Sequence, residues 1–89
     1  MEYITIDLEN GFSADIENER LDDYELFEDL VEIDENPAIM PRVFKKILGE
    51  DGYKELKECC RGADGRVKTS EMFASMREVF QQIQNSKKN

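Results

Sequence analysis

Asp22, Glu25, Asp29 and Glu32 recur at i, i+3, i+7 and i+10 within "LDDYELFEDLVEIDENP", a spacing that aligns four carboxylates along one helix face. Paired carboxylates can serve as general acid and base, but that needs a cleft to raise one pKa, and a solvated ridge offers none. Like charges at i+3 or i+4 each cost a few tenths of a kcal/mol. The row is therefore read either as a solvated face or as a face met by a basic surface. That surface is internal (Arg42, Lys45, Lys46, Lys54, Lys57) or belongs to a partner. These four acids are the candidate partner-binding residues.

A second candidate is "CCRGADGRVKTSEMF", residues 59–73. With Gly65 at position 6 of a calcium-binding EF-hand loop, Asp64 falls at position 5, Val67 at 8 and Glu71 at 12. The other ligand positions do not fit, because position 1 is Cys60, position 3 is Gly62 and position 9 is Lys68. Calcium takes six to eight oxygens, and this loop supplies two carboxylates and one carbonyl beside a lysine. No second loop exists to pair with it. The stretch is expected to be a turn, with Gly62 and Gly65 allowing left-handed conformations, Val67 pointing inward and Thr69 or Ser70 capping the next helix.

Other chemistry is sparse. The chain has no histidine, which removes the commonest base and metal ligand and any Ser-His or Cys-His pairing. Cys59 and Cys60 are adjacent, too close for an ordinary disulfide, and diverge on a helix. They are expected as reduced thiols, at least one in the core. Phosphate-binding Gly loops, nucleophile elbows and zinc spacings are absent. The expectation is no catalysis, no cofactor and no metal.

Bulk properties agree. Eighty-nine residues make one small domain, 1–89, and 39% hydrophobic content supports a modest core. No apolar run is long enough for a membrane span or a signal peptide, so a cytoplasmic protein is expected. Residues 1–36 hold 14 acids and one base, a net of −13; residues 37–89 hold 7 acids and 11 bases, a net of +4, giving the chain's −9. That sign disfavours nonspecific binding to nucleic acid or an anionic membrane. The segregation either steers partners or lets the two halves face each other.

The elements that must position these residues follow from periodicity. Ile4, Ile6 and Leu8 alternate with polar residues, as do Phe12, Ala14 and Ile16. A three-residue loop, Glu9-Asn10-Gly11, pairs Leu8 with Phe12, Ile6 with Ala14 and Ile4 with Ile16, giving a hairpin over 3–16 with one apolar face. A lone hairpin is unstable, so that face must lie on helices. A helix is expected over about 20–34, burying Leu21, Tyr24, Phe27, Leu30 and Val31 with Leu26 and Ile33 flanking, and ending before Pro37. A second, about 41–48, starts at Pro41 and stops at Gly49. A third, about 51–61, buries Tyr53, Leu56 and Cys60 or Cys59. The last, about 70–86, carries Met72, Phe73, Met76, Val79, Phe80 and Ile83, a stripe read as core or, in part, as a groove for a client helix. Residues 87–89 read as a frayed basic tail. The fold class is α+β: an N-terminal β-hairpin packed on about four short helices.

This order of features, a hairpin, then "LDDYELFEDLVEIDENP", "PRVFKKILGEDGYKELKECCR", "ADGRV" and a terminal amphipathic helix ending in lysines, resembles the small tail assembly chaperones of long-tailed bacteriophages and prophages of Gram-positive bacteria. The resemblance spans roughly residues 3–88. It implies a non-enzymatic protein that binds the tape measure protein, keeps its long helices soluble and helps recruit tail tube subunits in the host cytoplasm. It also implies a longer frameshifted form, for which an A-rich run encoding the terminal "KKN" is the place to look. The family has no fixed catalytic residues, so no residue role transfers. Two rival functions remain: an acidic DNA-mimic inhibitor of the anti-restriction or anti-CRISPR type, opposed by the +4 of residues 37–89, and a single-partner adaptor. A homo-oligomer is left open.

Overall fold

Gly11, at φ 94°, turns the chain in a left-handed conformation where a side chain would be strained. Asn10 supports the same turn, its Oδ1 accepting the Phe12 N–H at 3.0 Å. A computed structural model describes residues 2–86, so the tail expected at 87–89 lies outside the described residues. Strands β1 (Tyr3–Asp7) and β2 (Ser13–Glu17) pair antiparallel with Ile4 opposite Ile16 and Ile6 opposite Ala14. The Leu8 N–H donates to the Phe12 carbonyl at 2.8 Å. This is the expected register, and it puts Ile4, Ile6, Leu8, Phe12 and Ile16 in the core. A slip of one residue would turn them all to solvent.

The expected helix over 20–34 is broken. A single turn, α1 (Asn18–Leu21), is followed by Asp22 and Asp23, and α2 starts afresh at Tyr24–Glu32. Asp23 is extended (φ −138°, ψ 113°), and its carboxylate accepts the N–H groups of Glu25 and Leu26 at 2.9 and 3.3 Å. A side chain that caps a helix in this way competes with continuing the helix through itself.

A 3-10 turn at Pro37–Ile39 leads into α3 (Met40–Cys59), which is bent at Gly49 (φ 78°, ψ 166°). The bend divides it into the two helices expected on either side of Gly49. Arg20, the one base among the first 36 residues, reaches this bend and donates from Nη1 to the Ile47 carbonyl at 3.3 Å. It thereby satisfies a carbonyl near the interruption. Helix α4 (Thr69–Ser86) begins slightly earlier than expected: the Lys68 carbonyl accepts the Met72 N–H, so Thr69 and Ser70 lie inside the first turn.

The hairpin's apolar face lies on α3 and α4. Val43, Phe44, Ile47 and Leu56 from α3 and Met76 and Val79 from α4 complete the core, and Phe44 meets Phe80 edge-on with centroids 4.8 Å apart. Gln82 of α4 joins the main chain of β1, accepting the Asp7 N–H at 2.9 Å and donating to the Asp7 carbonyl at 2.8 Å. The result is an α+β fold, a two-stranded hairpin packed on about four helical segments. Among the described residues, no helix is long and apolar enough to cross a membrane.

Candidate functional site

The four-carboxylate row does not form one ridge. Asp22 sits in the break before α2, outside regular helix. Glu25 and Glu32 are exposed on α2. Asp29 faces the other way and is 9% exposed, bonded to Arg42 Nη2 and Lys46 Nζ of α3 at 3.0 Å each. The Lys46 bond, followed by that from Arg42, outweighs desolvation and holds the Asp29 carboxyl below the ordinary value of 3.8. Of the basic residues considered, Arg42 and Lys46 thus serve internally, while Lys45 and Lys57 lie over the Tyr53 ring at 5.8 and 5.5 Å.

The same rotation of α2 inverts its apolar assignment. Leu26 is fully buried, with Leu30 and Ile33 half-buried beside it. Tyr24, Phe27 and Val31, expected in the core, are 73%, 57% and 61% exposed. Tyr24 and Phe27 lie with ring centroids 6.0 Å apart. The chain offered two overlapping stripes, and the larger aromatic one lost because Asp29 and Leu26 together fit α3. That arrangement leaves an apolar ridge on the solvent side of α2.

Beside the ridge runs a groove of about 450 Å³ between α2 and α4, lined by Leu30, Ile33, Met40, Phe73, Arg77 and Phe80 among others. The α4 stripe is mostly core, with Met72, Met76, Val79 and Ile83 buried. Phe73, at 40% exposed, and half-buried Phe80 are its contribution to the groove. The periodicity that marked α4 as core or groove therefore describes both sides of one helix.

A part-buried polar cluster went unread in the sequence. Asn10 Nδ2 donates to Ser75 Oγ at 3.1 Å, and Ser75 Oγ lies 3.4 Å from Cys60 Sγ. This joins the hairpin loop to the C-terminal end of α3 and to α4, and a serine amid apolar neighbours in a helix pattern was its only trace. Both cysteines are free thiols, Cys60 being the one in the core. Burial and then Glu55 push the Cys59 thiol above its ordinary value, which disfavours the thiolate.

The 59–73 segment makes a tight turn. Arg61 and Val67 form a β-bridge, the Gly62 N–H donates to the Arg66 carbonyl at 2.8 Å, and Gly65 has φ 87°. Asp64 Oδ1 accepts the Arg66 N–H at 3.0 Å, so that carboxylate serves the turn. Arg61 bonds Glu58 and the Gly65 carbonyl, each at 2.6 Å, bracing the turn against α3. Among the described residues, no group of three or more Cys, Asp or Glu side chains is placed to hold a metal ion.

Comparison with protein-family models, with curated proteins and with solved structures finds no match. The geometry itself offers an apolar ridge, an adjoining groove and an acidic margin.

Proposed function

We propose that this chain is a non-enzymatic assembly chaperone of the phage-tail type, binding the tape measure protein and helping to recruit tail tube subunits in the host cytoplasm. The observation that carries the reading is the exposed ridge of Tyr24, Phe27 and Val31 on α2. A small domain with a core of its own leaves three large apolar side chains in helical spacing on its surface, a pattern that marks a site for another macromolecule. The resemblance in element order and in "LDDYELFEDLVEIDENP" supports the tape measure protein as the partner. A DNA mimic fits less well, because Asp29 is neutralised by Arg42 and Lys46 and Asp22 lies off the helix, which breaks the four-carboxylate row, and residues 37–89 carry a net charge of +4.

Nucleotide sequencing through codons 86–89 and the following few kilobases tests the reading. The expected result is a slippery A-rich heptamer, an overlapping frame and then a very long helical reading frame. An isolated gene, or one beside restriction or CRISPR genes, contradicts it.

A further inference from the structure

We infer that the α2–α4 groove and its ridge seat one amphipathic helix with an apolar stripe and a basic flank, the flank lying along Glu28 and Glu32. This rests on the reading of the chain as a protein-binding chaperone and specifies the chemistry of what it holds.

The shape points to a helix. Tyr24, Phe27 and Val31 follow i, i+3, i+7 spacing, so they present a straight row of knobs along α2. Leu30 and Ile33 on one wall and Phe73 and Phe80 on the other define a trough beside that row. At about 450 Å³ it takes a few large side chains rather than a whole helix. A helix resting on the ridge would lower its apolar side chains into the trough, as ridges enter grooves in helix packing.

Charge selects which helix. Glu28 and Glu32 are exposed one turn apart on the outer side of the ridge, and Asp34 lines the groove. They belong to the segment of the chain that holds 14 acids and one base. On the α4 side, Arg77 lines the same groove. The seat is therefore asymmetric, favouring lysine or arginine toward α2 and an acid or neutral residue toward α4. This gives the bound helix a preferred orientation. A second copy of this chain fits poorly: a twofold contact between two α2 ridges would set Glu28 and Glu32 close to their own equivalents.

The test is fluorescence anisotropy with two synthetic helical peptides carrying the same leucine stripe, one with a lysine and arginine flank, the other with a glutamate flank. The basic peptide should bind the wild-type chain and the acidic one should not. Phe27→Ala should weaken binding of the basic peptide by about tenfold, and the double variant Glu28→Lys, Glu32→Lys should invert the preference. All three positions are exposed, and circular dichroism of each variant confirms that the fold is retained. Failure of the basic peptide to bind, equal binding of both peptides, or a dimer of the free chain that Phe27→Ala dissolves would each overturn the inference. Co-expression with the tape measure protein separates the two proposals. If Phe27→Ala keeps that protein soluble as well as wild type does, the groove assignment falls and the chaperone reading stands. If wild type itself does not keep it soluble, the chaperone reading falls whatever the peptides do.

Discussion

Asp29 ties α2 to α3 through Arg42 and Lys46. Its spacing from Glu25 and Glu32 suits an acidic surface, yet its carboxylate is held between Arg42 and Lys46. Local spacing could not reveal this, since both partners lie on α3, beyond a proline turn. The pH consequence follows from the depressed pKa. A carboxyl with a lower pKa folded than unfolded stabilises the fold above the unfolded value, and that contribution is lost as pH falls through the folded one. Asp29→Asn should therefore melt at a lower temperature than wild type at neutral pH, with the gap closing below about pH 4. Thermal melts of both proteins across pH 2–7 check this, and a gap that persists at the acid end would contradict it. Gly49 is a second case, and here sequence sufficed: a glycine at a helix stop has φ 78° and ψ 166°, a region nearly closed to other residues. Gly49→Ala should cost about 1–3 kcal/mol in urea unfolding, partly by displacing Arg20, whose Nη1 lies 2.9 Å from where the new Cβ would sit.

Among the elements, the hairpin was fully legible and α2 was not. In the hairpin, strict alternation and one glycine leave a single register with a continuous apolar face, so the pairing of Ile4 with Ile16 could be read directly. In α2, nearly every position from 24 to 33 is either apolar or acidic. A helical wheel there admits two buried faces, and only the position of α3 decides between them. The sequence also ran α1 and α2 together, because leucine at 21 continues the apolar period across Asp22-Asp23. The break rests on the cap: Asp23 Oδ1 accepts from two N–H groups that would otherwise lack partners. Asp23→Ala should lower stability by about 1 kcal/mol and raise amide exchange in the first turn of α2, measured by hydrogen exchange. Unchanged exchange at Glu25 and Leu26 would show that the cap is dispensable. The groove was half legible: the α4 stripe suggested one, but its other wall needed the true orientation of α2.

At the scale of the molecule, charge segregation has two outcomes at once. Part of it is internal, where Asp29 meets the basic face of α3, and part remains outside, where Glu25, Glu28 and Glu32 border an uncovered apolar ridge. A domain whose core is closed by Ile6, Phe12, Phe44, Leu56 and Val79 does not need Tyr24, Phe27 and Val31 for folding, since these stay largely in water. On the proposed function, folding and binding fall to opposite faces of the same short helix. It follows that the ridge can be altered with little loss of stability and a large loss of binding. The most direct measurement is the soluble yield of tape measure protein co-expressed with wild type and with the triple variant Tyr24→Ala, Phe27→Ala, Val31→Ser, alongside the melting temperature of each purified chain. The account predicts soluble tape measure protein with wild type, its loss to the pellet with the triple variant, and nearly unchanged melting. Equal soluble yields from two folded proteins would contradict it.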